Sequence, residues 1–272
     1  MAACLALKEY FGRLKSRARA GRGLLAEMVF PERCLACGVW GEWLCPDCAA
    51  GIRLNQGFRC AECHSPSAYG AYCPECRPNF DLDGLLIACG YKDKKVAPAI
   101  KACKYRGLSR LSWLLADLLL AYYAGLLCQV RGSLSRDLKE ALDRAFPLPA
   151  VLAPGPKILI PVPLHPRRLR WRGFNQSALL AAKLLARRPE FRLPAGELRR
   201  RRSRRPQAGL TRRQRKKNLK NAFAWHGPPL APDLPILLID DVATTGATLN
   251  ECAKTLKQAG ARNVWGLVLA QG

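Results

Sequence analysis

The sequence predicts an α/β protein, with a small metal-held module ahead of a sheet domain. Three observations predict it. Short apolar runs at 85–91, 157–162, 236–239 and 264–270 read as strands with helical patterns between them. Four Cys-x-x-Cys pairs crowd into residues 34–76. Finally, Pro235-Ile-Leu-Leu-Ile-Asp-Asp-Val-Ala-Thr-Thr-Gly-Ala-Thr-Leu249 reads as strand, turn and helix with two carboxylates at the junction. The chain divides into a basic N-terminal segment (1–30), the cysteine module (31–79) and the sheet domain (80–272), which contains a basic loop at 199–220.

Residues 1–30 read as a basic amphipathic helix, with Leu5, Leu7, Tyr10, Phe11 and Leu14 apolar and cations between them. No continuous apolar stretch makes this a secretory signal. The most apolar segment, Trp113 to Cys128, is short for a membrane span and carries Asp117, so it reads as a buried helix. No transmembrane segment and a cytoplasmic location are therefore expected. There, thirteen cysteines are expected to be thiols rather than disulfides. The net charge of +25 predicts attraction to polyanions: nucleic acid, anionic lipid or phosphorylated ligands.

The cysteine pairs are Cys34/Cys37, Cys45/Cys48, Cys60/Cys63 and Cys73/Cys76. Zinc takes four thiolates in a tetrahedron, and each pair supplies two on one tight turn. Eight thiolates make two closed sites, which are structural because no position is left open for water. Sequential pairing needs the shortest loops; interleaved pairing also satisfies the spacing. His64, next to Cys63, reads as a bystander.

Asn79 to Gly84 reads as a linker, and 85–91 as the first strand. Lys94 to Tyr105 is helical, with Val96, Ile100 and Cys103 on one face and Lys101, Lys104 and Arg106 on or near the other. Ser112 to Val130 is a long apolar helix, in which Cys128 reads as a core cysteine. Ser135 to Phe146 is a charged helix with a Ser135 cap, followed by a Pro-rich connector to Pro156. The strand at 157–162 runs into Pro161-Val-Pro163 and then Arg167 to Gln176, leading into a helix at Ser177–Arg188. Such a turn lies where α/β sheets bind ligands. Its arginines suit pyrophosphate, or else form a solvated basic loop. From Leu198 to Pro232 there is no Asp or Glu, and 199–220 carries twelve Lys/Arg. This reads as a mobile basic loop that closes over an anion or tracks a nucleic-acid backbone, followed by a short strand at Ala222–Trp225.

In the 235–249 stretch, Ile236–Ile239 is apolar on both faces, as a buried parallel strand requires. The turn Thr244-Thr-Gly-Ala-Thr248 offers helix N-terminal amides to a phosphate, and Gly246 lets the backbone approach it. Asp240 and Asp241 suit a vicinal diol. Phosphate beside diol describes a ribose 5-phosphate. The plainer alternative is a strand–helix turn capped by Thr.

This stretch resembles the phosphoribosyl-pyrophosphate (PRPP) motif of type I phosphoribosyltransferases. With the cysteine pairs, Pro161-Val-Pro163, Arg172-Gly-Phe-Asn-Gln176 and the spacing from Gln207 to Phe223, the chain resembles the ComF family of competence-associated proteins. The resemblance implies a type I phosphoribosyltransferase-like fold, a twisted parallel sheet with helices on both faces, behind a double zinc ribbon. It implies PRPP contacts from Asp240, Asp241, Val242, Ala243, Thr244, Thr245, Gly246, Ala247 and Thr248, and pyrophosphate contacts from Arg172, Arg199 and Arg200. Cofactors would be two structural Zn²⁺ and Mg²⁺ carried with PRPP. Partners would be PRPP or another phosphorylated nucleotide-like ligand, single-stranded DNA and DNA-uptake proteins. Purine-salvage members place an acid two residues after the second carboxylate; here that residue is Ala243, so no catalytic base is assigned. A non-catalytic DNA-handling protein that keeps the pocket for binding is the alternative function.

Overall fold

The computed structural model describes residues 32–106, 108–132, 148–201, 219 and 221–272. The expected N-terminal helix, the expected helix at 135–146 and most of the basic loop lie outside these residues. Five strands form one parallel sheet: β1 (Gly84–Gly90), β2 (Lys157–Pro161), β3 (Phe191–Arg192), β6 (Ile236–Ala243) and β7 (Val264–Gln271), in the order β1-β7-β6-β2-β3. An antiparallel pair, β4 (Glu197–Arg200) and β5 (Phe223–His226), stands apart. Helices α1 (Pro46–Ala50), α2 (Val96–Tyr105), α3 (Ser109–Gly132), α4 (Pro166–Arg172), α5 (Gln176–Arg187) and α6 (Ala247–Gln258) complete the described elements.

The apolar run of β6 feeds two separate cores because side chains alternate across a strand. Leu237 and Ile239 join Leu267 and Leu269 under α2, α3 and α5. Ile236 and Leu238 join Val264, Val268 and the inner face of α6, namely Leu249, Cys252, Ala253 and Leu256. The sheet is therefore covered on both faces, as a parallel sheet must be. The window Arg110–Val130 of α3 is longer than the sequence suggested, and its length and composition would suffice to cross a membrane; 61% of it is buried inside the fold. Asp117 is tolerated there because Lys183 of α5 pairs with it at 2.5 Å. Cys128 is exposed, not core, since it falls on the outer side of the helix from Leu126 and Leu127.

The fully buried residues of each cysteine module join one core. Cys34, Leu44, Ala49 and Ile52 pack with the α2–α3 layer. Cys60, Tyr72, Cys73, Phe80 and Leu82 pack with the α6 layer. The segment between them covers the free edge of β1: the Asn55 amide and side chain donate to Ala88 and Ile87 carbonyls at 2.8 and 2.9 Å. An uncovered edge would invite pairing with another chain. Gly84 is required at the start of β1, because a Cβ there would run into the Trp265 ring. The stretch read as a linker, Asn79–Gly84, is packed instead of loose. Phe80 and Leu82 are buried, and Asp83 accepts from Arg77 (2.5 Å), Lys257 (2.7 Å) and the Val264 amide (2.6 Å).

Asp83 thus ties the second cysteine module to α6 and β7 at once. Asp83→Ala should lower stability by about 2–3 kcal/mol, the scale for charge-assisted hydrogen bonds whose partners lose their acceptor. Urea unfolding should show a lower midpoint at unchanged slope; an unchanged midpoint would mean the cluster is a passive surface feature.

Candidate functional site

The site forms where the chain leaves adjacent strands in opposite directions. After β2 it crosses outward through α4 and α5 to β3, and after β6 it crosses the other way through α6 to β7. That divergence opens a crevice at the carboxyl ends of β2 and β6. Two contiguous lobes fill it. One, of about 400 Å³, is lined by Thr244, Thr245, Gly246, Ala247 and Thr248, with Leu219 and Arg168 opposite. The other, of about 240 Å³, is lined by Lys104, Arg168, Arg172, Gln176, Arg200 and Asp241. Asp240, Val242, Thr244, Thr248 and Tyr105 belong to both lobes.

The first lobe is a cradle of hydroxyls and backbone amides at the start of α6. Gly246 sits at φ 67°, a left-handed conformation that glycine adopts without strain, and caps α6. The first turn of α6 leaves its amides without intrahelical partners, and the Thr245 hydroxyl accepts from the Ala247 amide at 3.4 Å. A Cβ at Gly246 would lie 3.4 Å from the Tyr72 hydroxyl, so the second cysteine module sits against this turn.

β6 runs on past the apolar run to Ala243, so both carboxylates lie within the strand, and at its carboxyl end both line the second lobe. Asp240 accepts from the Ser177 hydroxyl at 2.8 Å and the Asp241 amide at 2.9 Å. Burial, then the Asp241 carboxylate, push the Asp240 carboxyl up to about 7. Asp241 is 8% exposed and pairs with Lys104 at 2.8 Å. The second lobe is cationic and unsatisfied. Four buried side-chain nitrogens or oxygens lack a hydrogen-bond partner among the described residues, and three of them, Arg172 Nε, Gln176 Nε2 and Arg200 Nε, belong to residues lining this lobe. Burial, then nearby Arg168, lower the Arg200 pKa below its usual value, yet a guanidinium stays charged.

All of the expected 240–248 residues line the cleft, and so do Arg172 and Arg200. Arg199 does not. It alternates with Arg200 along β4 and its Nε donates to Glu197 at 2.8 Å on the exposed side. Sequence reasoning missed Lys104 and Tyr105 as site residues and Ser177 as the partner of Asp240, and it covered Arg168 only as one of the clustered arginines that suit pyrophosphate. No spacing links Lys104 to Asp241. Arg168 was read within a loop, but Arg167–Arg172 belong to α4, which His165 caps by accepting from the Arg167 amide at 3.2 Å.

The eight cysteines form two groups, Cys34/Cys37/Cys45/Cys48 and Cys60/Cys63/Cys73/Cys76, whose sulfurs all lie within 4.8 Å of one another in each group. Pairing is therefore sequential. The Cys37–Cys45 and Cys63–Cys73 separations of 3.7 and 3.5 Å match a zinc tetrahedron, whose 2.3 Å bonds put sulfurs about 3.8 Å apart. The Cys45 amide donates to Cys34 Sγ at 3.4 Å, and the Ser65 hydroxyl beside Cys63 holds that thiol down at about 6. The donor set fits two structural zinc ions. His64 belongs to neither group.

Fold and site together define the class: a double zinc ribbon ahead of a parallel α/β domain with a Thr- and Gly-rich turn at its switch point. A family model for the double zinc ribbon domain matches residues 25–77. "Competence protein F" of Haemophilus influenzae is 30% identical over 252 residues, 89% of this chain and 98% of that protein. "DNA utilization protein YhgH" of Escherichia coli is 30% identical over 231 residues, 85% of this chain and 90% of that protein. The Shigella flexneri protein of the same name is also 30% identical over 231 residues. The chain belongs to the ComF family of competence proteins.

Protein purified without chelators should contain two zinc ions per chain by elemental analysis; one or none would overturn the two-site assignment. The Asp240 carboxyl has a folded pKa above the value of about 4 for an exposed Asp. Its contribution to stability is present below about pH 4 and lost as pH rises through about 7. Asp240→Asn should therefore stabilise the ligand-free protein at pH 7.5 by about 1–2 kcal/mol, with no gain at pH 4. Denaturation curves at the two pH values check this.

Proposed function

We propose that the cleft binds PRPP with Mg²⁺ and that the protein passes the phosphoribosyl group to a nucleophilic acceptor. The carrying observation is the arrangement of the two lobes: a hydroxyl and amide cradle on one side, three orphaned buried donors on the other, and a carboxylate pair between them. A 5-phosphate suits the Thr244–Thr248 turn, the ribose hydroxyls suit Asp240 and Asp241, and a pyrophosphate suits Arg172, Gln176 and Arg200. Mg²⁺ would ride mainly on PRPP oxygens. In transfer, the acceptor's lone pair bonds to the anomeric carbon as the bond to pyrophosphate breaks, and the bound guanidiniums take up the leaving charge.

A second reading is nucleic-acid handling. The relatives' names, competence and DNA utilization, support it, as does the net charge of +25.

A PRPP–Mg²⁺ titration followed by melting temperature tests the first reading. At a hundredfold excess over the dissociation constant the gain should be about 2.7 kcal/mol. Arg172→Ala and Arg200→Ala should each weaken PRPP binding about tenfold to a hundredfold while leaving ribose 5-phosphate affinity unchanged, as read by calorimetry. No melting shift at millimolar PRPP would remove the reading. Pyrophosphate release across candidate nucleobases then tests transfer.

A further inference from the structure

Two large aromatic side chains stand exposed together at the rim of the cleft. Tyr105, at the end of α2, is 63% exposed, and Trp171, on α4, is 66% exposed. Their ring centroids are 6.2 Å apart with planes tilted by 55°. The Arg172 guanidinium carbon lies 5.5 Å from the Tyr105 centroid. Tyr105 lines both lobes, so the aromatic pair is continuous with the cleft. Seven cations flank the pair, of which, among the described residues, only Lys104 is bound to a carboxylate, that of Asp241: Lys101, Lys104 and Arg106 on and just after α2, and Arg167, Arg168, Arg170 and Arg172 on α4. Residues 94–106 and 157–188 contain no Asp or Glu.

Other exposed tryptophans are differently placed. Trp40 is covered by the Arg33 guanidinium at 3.5 Å, and Trp113 sits beside Lys183, whose Nζ donates to the Trp113 carbonyl at 2.8 Å. Only at Tyr105 and Trp171 do two mostly exposed aromatic rings in contact with each other, a row of cations and a cleft coincide among the described residues.

We infer that Tyr105 and Trp171 form a stacking subsite for an unpaired base of single-stranded nucleic acid, whose backbone phosphates cross the cations of α2 and α4. Aromatic faces interleaved with guanidiniums are what a single strand needs: π-faces for its bases and positive charge along its backbone. A duplex keeps its base faces stacked away. A free nucleobase is uncharged and gains nothing from seven cations. A lipid surface calls for aliphatic depth, which α4 does not offer with five arginines or prolines in seven residues. The inference rests on the nucleic-acid reading above and adds to it where, and by what contact, a base is held.

The test compares two labelled 12-mers of equal charge, oligo-dT and an all-abasic sugar-phosphate strand, by fluorescence anisotropy with the full chain at fixed salt. The wild type should bind oligo-dT at least about fivefold more tightly than the abasic strand. Trp171→Ala and Tyr105→Ala should each lower oligo-dT affinity by between about fivefold and about 150-fold while leaving abasic affinity within about twofold. Trp171→Phe should keep most of the preference, and the salt slope should stay the same because the phosphate contacts remain. Both side chains are mostly exposed, so their truncation leaves the core intact, which zinc content and melting temperature verify. Equal wild-type affinity for the two strands, or parallel losses on both in the alanine variants, would overturn the stacking subsite while leaving phosphate-only nucleic-acid binding in place. Binding of neither strand would overturn the nucleic-acid reading along with it.

Discussion

Two neighbouring carboxylates held at low exposure on the central strand constrain everything around them. Asp240 and Asp241 follow four buried apolar residues in β6, the middle strand of five. Charges in such a position must be paired, hydrogen-bonded or neutralised. The molecule uses all three responses. Lys104 is brought from the end of α2 onto Asp241, Ser177 is brought from the start of α5 onto Asp240, and Asp240 holds its proton to near neutrality. The positions of α2 and α5 against the sheet are thus tied to the site as well as to the core.

The zinc ribbons are not appendages to the sheet. Each contributes buried residues to a different face of it, and the chain between them hydrogen-bonds along the otherwise free edge of β1. The second ribbon also reaches the site from below. Tyr72, stacked on Phe80 at 3.9 Å, lies against Gly246 of the turn before α6, and the Asn250 side chain of α6 accepts the Asp81 and Leu82 amides. Metal coordination, edge protection and the shape of the cradle are therefore one mechanical unit. A small ribbon with few apolar residues gains from this arrangement a core it could not build alone.

Much of this was legible in the sequence for identifiable reasons. Local chemistry reads well: the cysteine spacing, the two-faced apolar run of β6 and the glycine with positive φ all act within a few residues. What depended on tertiary placement did not read. Lys104 lay on the less apolar face of its helix and looked like a solvated cation until the fold carried it to Asp241. The basic run at 167–172 masked a capped helix because its turn lacks apolar periodicity. The 79–84 stretch looked like a linker since its apolar residues, Phe80 and Leu82, are too few to show a pattern, though both are buried. One distinction was available and not drawn: consecutive residues of a strand face opposite ways, so Arg199 and Arg200 could not both face the cleft.

The sign of charge along the cleft decides which part of it suits which ligand. From one end to the other it runs from neutral amides and hydroxyls, through two carboxylates, to a cluster of guanidiniums. A phosphosugar with hydroxyls between two phosphate groups matches that alternation. A nucleic-acid backbone, which is anionic at every step, does not: on the cleft floor it would meet Asp240 and the Asp241–Lys104 ion pair, neither of which offers it a free positive charge. The acid-free surface of α2 and α4 runs from the cleft wall, which Lys104, Arg168 and Arg172 line, out to the exposed Lys101, Arg106, Arg167 and Arg170, where a uniform polyanion meets cations. On the two readings proposed above, a phosphosugar would take the floor and a nucleic acid the rim. Tyr105, which walls the cleft and also stands on the rim, is the residue through which occupancy of one would be felt at the other.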